Sequence, residues 1–296
     1  GHDYLNQAED RFEYYHRTEA RLKFDLSYFN RITKGGLPPK TLNIALAGTG
    51  VGKSLFMCHV ASSVISQGKN VLYITLEMAE ERIAERIDAN LLDVTIDDLY
   101  EMPKEIYDNK TSKMQNKTNG QLIIKEYPTA SAHAGHFKSL LDELALKKAF
   151  KPDLIFIDYL NICTSSRFKG GNINSYTMVK SIAEELRGLA VQYNVPIVSA
   201  TQTTRTGYLS SDVGLEDTSE SFGLPATADF MFALISNDEL EELGQIKVKQ
   251  LKNRYNDPAV NRAFIIGVDR SKMRLYDVEQ SAQQIVDSNQ ESKEKI

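Results

Sequence analysis

The eight residues AGTGVGKS, Ala47 to Ser54, place three glycines, a lysine and a serine between an apolar run and a helix-like pattern. Glycines let a backbone curl until its N–H groups point inward, and such a nest suits phosphate oxygens. Ala47, Gly48, Thr49, Gly50, Val51, Gly52, Lys53, Ser54 and Leu55 are the expected cradle. Lys53 is expected to reach the β- and γ-phosphates of a nucleotide, and the Ser54 hydroxyl to ligate a magnesium ion. The bland alternative is a plain glycine-rich turn. Gly52-Lys53-Ser54 between strand and helix argues against it.

Three further polar residues close apolar runs. Asp158 ends DLIFID (153–158), where a carboxylate can hold magnesium directly or through water; a helix cap is the alternative. Glu77 ends VLYITLE (71–77) and is the candidate general base for a water attacking the γ-phosphate. Its alternative is an acid favoured by a helix N-terminus. Gln202 ends VPIVSATQ (195–202), where an amide can sense the γ-phosphate; an ordinary polar strand end is the alternative. ATP and Mg²⁺ are the expected cofactors, although the loop does not choose among ATP, GTP and dTTP.

These groups need elements to position them. Runs at 41–47, 70–76, 121–127, 153–158 and 195–202 read as strands. Helical patterns cover 53–67, 79–91, 134–149 and 175–193. The alternation predicts an α/β fold, a mostly parallel sheet flanked by helices on both faces, with ligands at the carboxyl ends of its strands. Runs at 228–235, 244–253 and 262–269 read as strands at one sheet edge. Residues 95–120 are polar and read as an irregular surface excursion. The acid-rich 237–243 reads as a solvated turn of helix. Residues 3–17 put Tyr4, Leu5, Ala8, Phe12 and Tyr15 on one helical face that must dock on something. The expected division is a linker helix over 1–20, an ATPase domain over 21–276 and a disordered tail over 277–296.

Composition narrows the class. Net charge is −5 over 296 residues, which argues against a basic nucleic-acid coat and leaves room for a local basic channel. Two distant cysteines, Cys58 and Cys163, make no disulfide framework and fit a reducing compartment. No apolar run approaches the roughly 20 residues of a membrane helix. His133 and His136 lie three apart without further ligands nearby, too few for a structural zinc site. Gly1-His2 reads as a cloning remnant, and the lack of an initiator methionine suggests a piece of a longer protein.

Strand-end Glu77, Asp158 and Gln202 behind one phosphate loop resemble the RecA-like core, and several segments resemble the hexameric replicative DNA helicases of the DnaB type. These are TLEMAEERIAERI (75–87), the Asp-Tyr-Leu segment with its loop, helix and Gln strand (157–202), DTSESFGLPATAD (217–229), and Lys252-Asn253-Arg254. The resemblance spans residues 22–270 and leans toward phage helicases of the T4 type. It implies a homo-hexameric ring that moves along single-stranded DNA and unwinds duplex. It also implies a primase and a helicase loader as partners, and a host-cytoplasmic location without membrane attachment. The family's collar domain has no counterpart here beyond the linker helix. The 217–229 segment departs from the family at Ser219, where arginine is usual, and Phe222, where glycine is usual.

DNA contacts are expected from two loops. Arg167 and Lys169 supply charge in the first; Arg205 opens the second, which continues through Glu220, Ser221, Phe222 and Gly223. Backbone phosphate contacts suit a motor because they ignore sequence. Lys252 and Arg254, two apart before a turn-like YNDPAVN, are expected on one face with no acid between them, thrust out from the sheet edge to act on a neighbour's phosphates. A basic hairpin in solvent, or on DNA, is the alternative. The rival readings are a RecA- or RadA-type recombinase or clock-type ATPase without unwinding, and an ATP-gated scaffold with negligible turnover. Glu77 argues against the scaffold.

Overall fold

The structure is a computed structural model and describes residues 1–17, 20–168, 173–203, 214 and 223–279. In chain order its helices and strands begin with α1 (Ala8–His16), α2 (Ser27–Ile32), β1 (Leu42–Ala47), α3 (Lys53–Ser66), β2 (Val71–Thr75) and α4 (Glu80–Leu92). Then come α5 (Ile96–Glu101), α6 (Lys104–Lys117), β3 (Leu122–Glu126), α7 (Ala134–Lys148), β4 (Leu154–Asp158) and α8 (Ser175–Tyr193). The chain continues through β5 (Ile197–Gln202), α9 (Gly223–Thr227), β6 (Phe230–Ile235), α10 (Asp238–Glu242), β7 (Gln245–Asn253), β8 (Ala263–Asp269) and β9 (Arg274–Asp277).

The described strands form one sheet in the order β3-β2-β4-β5-β1-β6-β7-β8-β9. β3 through β6 in that order run parallel. β7, β8 and β9 extend the edge antiparallel, as hairpins allow. β1, β2, β4 and β6 are buried on both faces, which is why they read as continuous apolar runs rather than alternating ones. One face carries Ala45, Tyr73, Phe156 and Phe232 under α2, α3 and α4. The other carries Ile44, Ile74, Ile157 and Met231 under α7 and α8. The mostly parallel sheet with helices on both faces is as expected. Among the described residues, no helix is long and apolar enough to cross a membrane.

Several details correct the sequence reading. Residues 95–120 are not irregular. Thr95 and Asp98 form a reciprocal capping box at the start of α5, and α6 is tied to α4 by Tyr107 donating to Asp88 at 2.8 Å. Neither helix buries a residue fully, so neither leaves an apolar period to detect. α2 was hidden because only Phe29 and Ile32 of its six residues are buried. β9 adds a strand beyond the three expected at the edge. The tail from residue 280 lies outside the described residues. α1 starts at Ala8, so Tyr4 and Leu5 precede the helix, and it buries no residue within the chain.

Candidate functional site

The carboxyl ends of β1, β2 and β5 converge on a cleft of about 300 Å³, and Asp158 at the end of β4 lies buried behind Ser54. Thr49, Gly50, Gly52, Lys53, Ser54 and Leu55 line it from the loop, and Glu77 and Gln202 line it from neighbouring strands. The loop is shaped by Gly50 and Gly52, at φ +77° and +141°, a region side-chain-bearing residues rarely adopt. Ala47 is the last residue of β1 and is paired in register with Gln202 on β5. Gly48 accepts from the Val51 N–H, closing the turn. Gly52 caps α3, whose residues are all buried except Ser54 and Ser66. The helix therefore aims its first, positively polarised turn into the cleft from a fixed base.

Ser54 and Asp158 meet. The Ser54 hydroxyl donates to Asp158 Oδ2 at 2.8 Å, and Tyr73 Oη donates to the same oxygen at 2.8 Å. Asp158 is fully buried, and its Oδ1 has no hydrogen-bond partner among the described residues. Burial pushes the Asp158 carboxyl up, while the Tyr73 and Ser54 hydrogen bonds hold it down, Glu77 pushes up and Lys53 down. A buried carboxylate oxygen without a donor is a group that needs a cation. With the hydroxyl of Ser54 beside it, the oxygen-only donor set fits Mg²⁺.

Lys53 is buried, its ammonium 5.4 Å from the centroid of the Tyr159 ring. Desolvation lowers its pKa, and the charges of Glu77 and Asp158 oppose that. Glu77 itself is exposed at the rim, where a solvent water is in reach. Sequence reasoning missed Arg86, Arg270 and Met273, which also line the cleft. Arg270, in the β8–β9 turn, donates to Val51 O at 3.0 Å and to Glu241 at 2.7 Å. No local pattern marks it, because it reaches the loop from more than 200 residues away.

Lys252 and Arg254 lie elsewhere. β6 runs parallel to β1, and β7 returns antiparallel beside it, so Asn253 pairs with Phe230 near the amino end of β1. The pair is thus at the opposite end of the sheet from its own phosphate loop. Both side chains do point the same way, reaching the carbonyl of Ala226 at the end of α9. The expectation of no acid between them fails. Asp229, side chain 5% exposed, pairs with Arg254 at 2.8 Å and with Arg187 at 3.1 Å, and accepts the Leu42 N–H at 2.9 Å. A buried carboxylate at the amino end of interior strand β6 draws in the nearest guanidinium groups. Partial burial, then the Arg254 charge, pull the Lys252 ammonium down, while Asp229 opposes them.

Of the expected DNA contacts, Lys169, Arg205, Glu220, Ser221 and Phe222 lie outside the described residues. Arg167 is ion-paired with Glu184. Gly223 is buried at the start of α9, where an added Cβ would meet the Lys180 side chain at 2.9 Å. Its place is a packing position, set by the close approach of α9 to α8. His133 and His136 form a capping box for α7 through their Nδ1 atoms, accepting from Gly135 N and His133 N.

A family model described as "DnaB-like helicase C terminal domain" matches residues 22–286. The chain is 46% identical over 285 residues to the "DnaB-like replicative helicase" of Enterobacteria phage T4, covering 95% of this chain and 60% of that one. It thus spans less than two thirds of that relative's length. A structure reported as that of a DnaB-like replicative helicase and its interactions with primase superposes with a TM-score of 0.76 at 16% identity, over 94% of this chain and 69% of that one. A second solved structure, of an isolated ATPase domain, superposes with the same score and identity, covering 94% of this chain and all of that one. At that identity the two structures speak for the fold.

Proposed function

The chain belongs to the DnaB-like helicase C-terminal domain family, and from that membership we propose that it is an ATP-driven motor that moves along single-stranded DNA as a homo-hexameric ring and unwinds duplex. The observation that carries the reading is the union of Lys53, Ser54, Glu77 and Gln202 around one cleft, with Asp158 bonded to Ser54 behind it and its Oδ1 unpaired among the described residues. The loop N–H groups and Lys53 bind the triphosphate. Ser54 and Asp158 would hold Mg²⁺, which neutralises phosphate charge as it develops. Glu77 orients the attacking water and takes its proton. Gln202, one strand from the loop, senses the γ-phosphate and opens directly onto the segment carrying Arg205.

Arg254, with Lys252 beside it, is the proposed finger for a neighbour's site. Being at the far end of its own sheet, it can serve only another subunit's cleft. The 1–20 segment is the proposed linker helix, docking on that neighbour. Arg167, Lys169, Arg205 and the 220–222 loop are the proposed DNA grip. The proposed partners are single-stranded DNA, further copies of the chain, a primase and a helicase loader; the proposed location is the host cytoplasm. A forked-duplex unwinding assay run beside a DNA-stimulated ATPase assay tests the reading. Unwinding with DNA-stimulated turnover is expected. Stimulated turnover without unwinding by a ring-forming preparation would favour the recombinase alternative.

A further inference from the structure

We infer that Tyr73 is the positioning residue for Asp158, fixing which of its two oxygens is turned to the magnesium ion; this rests on the metal-holding role proposed above for Asp158. Tyr73 lies in the middle of β2, fully buried, at a position where a parallel strand ordinarily takes Val or Ile. Its ring stacks on Phe156, with centroids 5.5 Å apart. A phenol so deep in the core must place its hydroxyl on a partner. The partner is Asp158 Oδ2, at 2.8 Å. The register makes this contact possible. Thr75 pairs with Asp158 and Tyr73 with Phe156, so all four side chains stand on the face that α3 covers.

The division of labour on the carboxylate follows. Oδ2 receives two donors, Tyr73 and Ser54, while Oδ1 receives none. Two donors on one oxygen pin the rotation of the carboxyl group and direct the bare oxygen. They are not equivalent. Ser54 is itself a proposed metal ligand, so its hydroxyl serves two masters once a cation is present. Tyr73 is not a proposed metal ligand; its hydroxyl accepts from the Cys58 thiol at 3.9 Å. Tyr73 is therefore the fixed point that holds the aspartate in one rotamer whether or not nucleotide is bound. Partners of this kind behind a metal ligand typically contribute about 10- to 100-fold in metal affinity or activity.

The test measures metal and nucleotide separately. Tyr73→Phe keeps the ring stack and removes only the hydroxyl. Mn²⁺ affinity is read by electron paramagnetic resonance in the presence of a non-hydrolysable ATP analogue, and affinity for that analogue in EDTA is read by fluorescence titration. The expected result is metal affinity weakened about tenfold or more, with metal-free nucleotide affinity and the thermal midpoint near wild type. Val64→Ala trims the same core cluster and removes no hydrogen-bonding group, and should bind Mn²⁺ as wild type does. Equal losses in Tyr73→Phe and Val64→Ala would overturn the inference, since any change in packing would then suffice. So would unchanged Mn²⁺ affinity in Tyr73→Phe while Asp158→Asn loses it. Unchanged affinity in Asp158→Asn would instead remove the metal-holding role on which the inference rests.

Discussion

Arg254 and Asp229 are joined at 2.8 Å, and the same carboxylate accepts the Leu42 N–H at the amino end of β1. The arginine is thereby anchored at the end of the sheet that its own phosphate loop does not occupy. Its side chain is 45% exposed despite these bonds.

Action in trans predicts complementation. Arg254→Ala subunits and Glu77→Gln subunits should each be inactive alone. Mixed rings contain interfaces with wild-type Glu77 on one side and wild-type Arg254 on the other, and these should regain ATPase activity. A finger supplied by a neighbour is worth about 10³–10⁵ in rate in other phosphate-loop enzymes. No recovery on mixing would return Arg254 to a structural role with Asp229.

Glu77 and Lys53 should separate chemistry from binding. Glu77→Gln keeps the shape and loses the base, so kcat should fall about 10²-fold or more while ATP still binds. Lys53→Ala removes the buried cation of the cleft and should weaken binding itself. Fluorescent-nucleotide titration beside a phosphate-release assay distinguishes them. Near-normal turnover in Glu77→Gln would take Glu77 out of the mechanism.

Residues 1–20 should control assembly. Tyr4, Leu5, Phe12 and Tyr15, in and just before α1, are 62–84% exposed. Deleting residues 1–20 should leave a folded protein with a smaller mass by light scattering at equal concentration. An unchanged mass distribution would refute docking of this helix on a neighbour.

The cap of α7 should be sensitive to acid. His133 Nδ1 accepts the Gly135 N–H at 3.0 Å and can do so only when unprotonated. Burial, with help from His136 and against Glu185, holds the His133 pKa below its usual 6.5. A folded-state pKa below the unfolded one gives stability that is present above about pH 6.5 and lost as pH falls through the folded value. Tyr127, His136 and Glu185 are the titratable groups that face this cap. His133→Asn caps without titrating. Its urea midpoint should fall less steeply than wild type between pH 7 and 5; parallel profiles would assign the acid response elsewhere.

The parallel half of the fold was legible because β1, β2, β4 and β6 are buried on both faces, and because polar residues close or follow its apolar runs. Lys53, Ser54, Glu77, Asp158 and Gln202 announced themselves in that way. Tyr73 did not, since in an apolar run a phenol reads as one more core side chain. Arg270 and Asp229 were invisible for another reason: each does its work across the sheet, on residues about 190 to 220 positions distant. α6 escaped because it is held at its surface by contacts such as Tyr107 to Asp88, and a helix with no buried stripe carries no period.

The β7–β8 ribbon sets a length. β7 runs nine residues, Gln245–Asn253, roughly 30 Å at about 3.4 Å per residue. At one end the ribbon leads to Arg254; at the other, through β8, to Arg270 on the carbonyl of Val51. One span thus separates Arg254, the proposed finger, from the phosphate loop of its own subunit. In a head-to-tail ring the interval between successive sites is then a covalent dimension of the chain, as a link fixes the pitch of a roller chain. Two residues added to β7 would keep every side chain on its own face and still put the ring out of step.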